Sequence, residues 1–289
     1  MIQKIIFATD FSPLSEEALR YTVKLARKTG AKVIGAHVLT PPAPLYSPVQ
    51  PEEGYRRELE KQTGSKLKAF FAPHAGETEV EIETRLCFGV AEKTLSELVI
   101  EEQADLLVVA KHSHSSLGTF FMGSTTEKIV REARCPVLVV PDAGVRTVTW
   151  NPILCATDLS QPSVKAFQFG IQLAQDYHAN LNLMHVIDLG SSAHSPGEKP
   201  TEYTLSISKS AKEKLEDIIK TSGGPRETEI AVAEGKPSVL IVERAEELGS
   251  DLVVLGKTGH TLAEQRVFGS TANAILRGAR FPVLVVPGP

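Results

Sequence analysis

The chain of 289 residues states one pattern twice. Residues 4–12 read Lys-Ile-Ile-Phe-Ala-Thr-Asp-Phe-Ser, and residues 152–160 read Pro-Ile-Leu-Cys-Ala-Thr-Asp-Leu-Ser. Asp158 stands 148 positions after Asp10, and His185-Val186 stand the same distance after His37-Val38. The offset becomes 146 for Gly235 against Gly89, Asp251 against Asp105, and Gly269-Ser270-Thr271 against Gly123-Ser124-Thr125. It is still 146 for Pro282-Val283-Leu284 against Pro136-Val137-Leu138. Two halves that hold register over this length are a duplicated domain rather than a short-period solenoid. Each half then serves as a control for the other.

Within each half, short β-branched runs alternate with helical patterns. The second half predicts strands at 152–156, 181–187, 227–233, 251–255 and 282–286, with helices near 161–178, 202–221, 237–249 and 270–279. The first half predicts strands near 3–8, 32–38, 78–86, 105–110 and 136–140. The runs Asp-Leu-Leu-Val-Val-Ala and Asp-Leu-Val-Val-Leu-Gly are continuously apolar, as strands covered on both faces are. Strand–helix alternation of this kind predicts an open α/β fold on a parallel sheet. Ser12-Pro13 supplies a capping hydroxyl before a proline suited to the first helical position. The Pro- and Ser-rich stretches 40–53 and 188–200 read as loops and the segment 141–151 as the linker, which gives domains over 1–142 and 151–289.

Composition narrows the function classes. A net charge of -4 with no basic block argues against a dedicated nucleic-acid binder. No apolar run reaches the ~18 residues of a membrane span, and no signal peptide precedes the first strand, so a cytoplasmic protein is expected. The three cysteines do not suggest a disulfide framework, because Cys87, Cys135 and Cys155 align with the apolar Ala233, Phe281 and Phe7 of the other half.

The chemistry concentrates after the fourth strand of the second half. Gly256-Lys257-Thr258-Gly259 is followed, nine residues on, by Gly269-Ser270-Thr271 opening a helix. Glycines permit close backbone approach or positive φ, and a helix N-terminus favours an anion, so the pair reads as a polyphosphate cradle. In a doubly wound sheet the ligand lies beyond the carboxyl ends of the strands where strand order reverses. There Ala156-Thr157-Asp158 would face the glycine loop, with His185-Val186 closing the other side and the Asp158 carboxylate accepting from an amino or hydroxyl group. Gly256-Lys257-Thr258 is not a P-loop ending, because six residues rather than four separate it from Gly249. His112 and His114, with His37, have spacing that could ligate a metal, but solvated loop histidines explain them better and no metal is expected. Lys257, His260 and Arg266 read equally as phosphate contacts or as a solvated basic loop.

With those residues in view, both halves resemble the universal stress protein family, and the chain looks like a tandem member of it. Gly256, Gly259, Gly269 and Ser270 meet the family pattern Gly-x2-Gly-x9-Gly-(Ser/Thr), joined by the strand-one Ala-Thr-Asp and the closing Pro-Val-Leu-Val-Val strand. The resemblance implies two Rossmann-like domains with strand order 3-2-1-4-5. It also implies ATP, with or without Mg2+, bound with its base near Asp158 and Val186 and its triphosphate running to Gly269-Ser270-Thr271. The first half departs from the pattern, with Ala110 and Ser113 where the loop glycines belong. Its Asp10, Val38, Gly123, Ser124 and Thr125 form a weaker candidate site, and Gly118 leaves room for AMP or another adenylate through a different loop.

The function expected is a stress-response regulator that binds ATP and hydrolyses it slowly at most. The alternatives are an ATP-dependent enzyme of a related α/β fold and a scaffold with vestigial sites; no nucleophile–base–orienter set supports a fast enzyme. The apolar last strands, Val137–Val140 and Val283–Val286, are a liability unless covered. The resemblance implies that they meet in a pseudo-dimer within the chain, with a homodimer as a further option. Separately expressed halves are therefore expected to self-associate, and sedimentation showing two monomers at high concentration would exclude this packing.

Overall fold

The structure is a computed structural model and describes residues 2–40, 53–75, 80–111, 123–141, 148–188, 202–259 and 268–288. The described residues up to 141 fall in one compact unit and those from 148 onward in a second. The candidate positions Ser113, Gly118, His112, His114, His260 and Arg266, most of both Pro- and Ser-rich loops, and linker residues 142–147 lie outside the described residues.

The first unit runs β1 (Lys4–Ala8), α1 (Pro13–Thr29), β2 (Lys32–Leu39), α2 (Glu53–Ala75), β3 (Ile82–Phe88), α3 (Ala91–Glu101), β4 (Leu106–Ala110), α4 (Ser124–Glu132) and β5 (Val137–Val140). The second repeats it as β6 (Ile153–Thr157), α5 (Gln161–Tyr177), β7 (Leu181–Ile187), α6 (Glu202–Thr221), β8 (Glu229–Glu234), α7 (Pro237–Glu247), β9 (Leu252–Gly256), α8 (Ser270–Gly278) and β10 (Val283–Val286). In each unit every ladder is parallel, and the order is β3-β2-β1-β4-β5 in the first and β8-β7-β6-β9-β10 in the second. The fold is therefore α/β with the 3-2-1-4-5 order in both halves. Strand bounds shift by at most four residues from the sequence reading, not at all at β7 and most at β3, which begins at Ile82 rather than near 78.

Right-handed crossovers dictate the layers. The chain steps outward from β1 through α1 and α2, then reverses through α3 and α4, so the helix pairs cover opposite faces. In agreement, α3 packs on α4 and α7 on α8. The central strands are buried on both faces: all five residues of β4 and of β6 are buried, as are Leu252–Leu255 of β9. At about 1.5–3 kcal/mol per large aliphatic side chain, these strands anchor each unit.

Several repeated residues are explained by backbone accounting. The Asp105 carboxylate accepts from the Gln3 and Lys4 amides at 2.8 and 2.9 Å, and Asp251 accepts from Asn151 N at 3.2 Å and from the Thr149 hydroxyl. Each ties the start of the fourth strand to that of the first. Gly89 and Gly235, at φ 138° and 144°, close the third strands with a backbone that side chains rarely adopt, and lead into α3 and α7. Ser12 and Ser160 cap α1 and α5, accepting from Ser15 N at 3.2 Å and Ser163 N at 3.4 Å. A proline follows in the first turn of each.

Candidate nucleotide cleft of the second half

The crossover direction reverses between β6 and β9, which pair directly, and a cleft of about 230 Å³ opens at their carboxyl ends. Ala156, Thr157, Asp158, Val186, Gly256, Gly259, Gly269, Ser270 and Thr271 all line it. The sequence places these nine residues in five separate segments, and the topology gathers them at one switch point. The lining also includes Ser163, Pro237, Ile241, Leu255, Thr258 and Ala272, which the sequence reading did not single out. Pro237 follows the positive-φ Gly235 at the start of α7, and that glycine was the available signal.

Two helices present N-terminal turns to this cleft. Helix α8 has Gly269 as its N-cap and α7 has Lys236, and neither receives a side-chain capping bond. By contrast, Ser160 caps α5. First-turn amides without side-chain caps are the groups that hold an anion, and α8 offers them; α7 opens on Pro237, which has no N–H, and its Val239 N donates to Lys236 O at 3.0 Å. Gly269 N donates to Lys257 O at 3.0 Å, and Lys257 N donates to Val286 O at 2.8 Å. These bonds lock the start of α8 to the end of β9 and to β10.

At the loop glycines space rather than backbone angle is the constraint, most severely at Gly259. Gly269 has φ -57°, and neither Gly256 nor Gly259 is in the positive-φ region. A Cβ built on Gly256 would lie 3.1 Å from Ser163 Cα, one on Gly269 3.2 Å from Lys257 O, and one on Gly259 2.6 Å from Asp158 Oδ2. Of the two reasons for glycine, close approach and positive φ, the backbone angles leave close approach. At Gly256 the Cβ direction meets the first turn of α5, and the matching residue of the first half, Ala110, is buried.

Asp158 also has a local task. Its Oδ1 accepts from Ser160 N at 3.0 Å and from Ser160 Oγ at 2.5 Å, around Leu159 at φ 65°. Leu159 N donates to Thr157 Oγ1 at 3.0 Å, and Thr157 Oγ1 lies 2.8 Å from Ser163 Oγ. A leucine in the left-handed region costs roughly 1–2 kcal/mol, which this hydroxyl and carboxylate network offsets. The first half repeats the turn with Phe11 at φ 64°, but there Asp10 Oδ1 accepts from Ser12 N at 3.0 Å and Ser15 Oγ at 2.7 Å.

Val186 lines the cleft, whereas its neighbour His185 does not. Successive strand residues face opposite sides of a sheet, so only one of the pair can line it. His185 Nδ1 instead donates to Thr157 O at 2.8 Å, and His37 Nδ1 to Thr9 O at 2.7 Å. The repeated histidine is a tie between the ends of the first two strands. Among the described residues, no three His, Cys, Asp or Glu side chains come together to hold a metal. Cys155 is buried, and burial pushes its thiol well above the usual range, so it packs rather than reacts.

In the first half Asp10 is exposed, Val38 and Gly123 are half-buried, and Ser124 and Thr125 are exposed at the start of α4. Where Ala272 lines the second cleft, the first half has Thr126, whose hydroxyl donates to Ala110 O at 3.2 Å. Lys111 takes the place of Lys257 and is buried, which lowers its pKa to about 8. A lysine depressed in the folded state binds fewer protons than in the unfolded chain between about pH 8 and the unfolded value. Stability contributed by this site therefore rises with pH across that window. Lys111→Met is expected to stabilise the chain at pH 7 and to have a smaller effect at pH 10. Urea titrations at the two pH values check this, and an equal effect at both would show that Lys111 is not the group responsible.

No helix among the described residues is long and apolar enough to cross a membrane. A universal stress protein of Methanocaldococcus jannaschii is 32% identical over 144 residues, covering 48% of this chain and 84% of the relative. A universal stress protein of Mycobacterium bovis is 25% identical over 215 residues, covering 72% of this chain and 69% of its own. The crystal structure of a universal stress protein from Archaeoglobus fulgidus superposes with a TM-score of 0.73 at 18% identity, over 98% of this chain and 97% of that one, a likeness of fold. The profile of the universal stress protein family matches twice, over residues 1–141 and 149–287, so the chain belongs to the universal stress protein family as a tandem, two-domain member.

Proposed function

We propose that this chain is a cytoplasmic, regulatory ATP-binding protein of the stress response whose second half carries the nucleotide. The observation that carries the reading is the cleft at the β6–β9 switch point. It combines the N-terminal turn of α8, which has no side-chain cap, with an apolar wall of Ala156, Val186, Ile241 and Leu255. An adenine base suits the apolar wall, and a triphosphate suits the start of α8 and the bare Gly256–Gly259 loop. Asp158 would accept from an amino or hydroxyl group of the ligand. It is the one carboxylate among the described lining residues, so Mg2+ would be held chiefly by the phosphates. Rapid phosphoryl transfer needs more positioned groups than these, which favours a bound ligand over a fast substrate.

The first half is the weaker site in this proposal. Its aspartate is bound to Ser15 Oγ, and Thr126 adds bulk where Ala272 stands in the second half. AMP or another adenylate is the ligand class left to it. Calorimetric titration is expected to show one tight ATP site per chain, with nucleotide co-purifying at that stoichiometry. Two equal sites would defeat the asymmetry, and no binding would defeat the proposal. Turnover well above ~1 s⁻¹ would replace the regulatory reading with an enzymatic one.

A further inference from the structure

Gly259 belongs to the family's glycine pattern, but the reason for a glycine at this position is particular. Its backbone lies outside the positive-φ region, so glycine is not there to relieve a left-handed turn. Its Cα faces a carboxylate instead: a Cβ would stand 2.6 Å from Asp158 Oδ2 and 3.7 Å from Asp158 Cγ. That oxygen cannot simply swing away. The other oxygen of the same carboxylate is held by Ser160 N at 3.0 Å and Ser160 Oγ at 2.5 Å. Ser160 is buried and is itself fixed as the N-cap of α5, where its carbonyl accepts from Val164 N at 2.9 Å and Ser163 Oγ at 3.0 Å. Rotating the carboxylate would therefore break two bonds at a helix terminus.

We propose that Gly259 is a positioning residue: its missing side chain makes room for the Asp158 carboxylate, and the two residues form one coupled unit of the cleft. The proposal rests on the ATP reading for its functional consequence, but the coupling itself does not depend on a ligand. The other half of the chain supplies an independent comparison. There the aspartate takes its hydroxyl bond from Ser15 rather than from the serine two residues on, and the position matching Gly259 is Ser113. Glycine at the loop position accompanies a carboxylate bound by the Ser160 hydroxyl, and serine accompanies one bound by the Ser15 hydroxyl. The loop residue and the hydroxyl partner of the aspartate differ together between the halves, while the amide two residues on binds Oδ1 at 3.0 Å in both.

The test is a double-mutant cycle on the full chain with Gly259→Ala, Asp158→Ala and the two combined, read by thermal unfolding without nucleotide and by ATP titration. Without ligand, Gly259→Ala is expected to lower Tm by about 3 °C or more, and the same substitution on the Asp158→Ala background to leave Tm unchanged. With ATP, Gly259→Ala alone is expected to weaken binding by about tenfold, and by less than about twofold once Asp158 is alanine. Equal, additive losses in both backgrounds would overturn the coupling and return Gly259 to a direct contact with phosphate. If wild-type chain binds no ATP, the proposed function fails, while the thermal cycle still decides whether the two residues are coupled.

Discussion

Gly259→Val is expected to abolish ATP binding by the second half, with at least about a 100-fold loss of affinity, equivalent to about 2.7 kcal/mol. The alanine carbon already meets Asp158 Oδ2 at 2.6 Å. Valine adds two methyl groups on a stiff χ1, in a cleft whose lining is already tight. They must displace the carboxylate, push the loop from the start of α8, or enter the ligand space, and each outcome removes part of the site. Circular dichroism should remain that of the parent, because Gly259 lies beyond the end of β9 and supports no strand pairing. Calorimetry showing a variant titration indistinguishable from wild type would remove Gly259 from the site.

Asp158→Asn sets the size of the carboxylate's own contribution. It keeps an oxygen to accept from Ser160 while removing the charge, so the turn around Leu159 should persist. A loss of ATP affinity of about tenfold is expected, the scale of a hydrogen bond to a charged group. An unchanged affinity would show that Asp158 only shapes its loop.

The fold and much of the cleft were legible in the sequence because both depend on patterns the duplication repeats. Buried central strands leave runs such as Leu-Leu-Val-Val-Ala, and topology then fixes where their ends must lie. All nine residues expected to surround the nucleotide line one cleft. What was not legible was the physical reason for individual residues. Gly256 and Gly259 read as sites of close approach or positive φ, and the neighbours that crowd them are distant in sequence, Ser163 for one and Asp158 for the other. His185 and Val186 read as a unit, but the pleat sends them to opposite faces. Ser163 was missed because a serine three residues after a cap looks like an ordinary helical residue, and Pro237 and Ile241 because α7 reaches the cleft only through the crossover. The repeated Asp105 and Asp251 marked register in the sequence, and only the structure shows them tying the first and fourth strands together.

Gly35→Leu is expected to destabilise the first unit by about 3 kcal/mol or more, the upper range for overpacking a core. The register sets Phe7 beside Gly35 in the first half and Cys155 beside Leu183 in the second. From the helix above, Phe71 fills the first site, where a Cβ built on Gly35 would overlap its ring, and Phe71 also meets Phe7 edge-on at 6.0 Å between centroids. The position matching Phe71 is Ile219. The aligned positions therefore carry two phenylalanines and a glycine in the first half, and cysteine, leucine and isoleucine in the second. Cys155 has a packing role that needs no redox chemistry: its Sγ sits against α5, where a Cβ built on Gly170 would overlap it. The triple variant Phe7→Cys, Gly35→Leu, Phe71→Ile is accordingly expected to recover most of the stability that Gly35→Leu removes, because residues sharing one cavity do not act additively. Urea denaturation of the full chain, followed by a probe in the first unit, measures both. If the triple variant is less stable than Gly35→Leu alone, the two halves do not exchange packing solutions, and the backbone separation between β2 and α2 must differ between them.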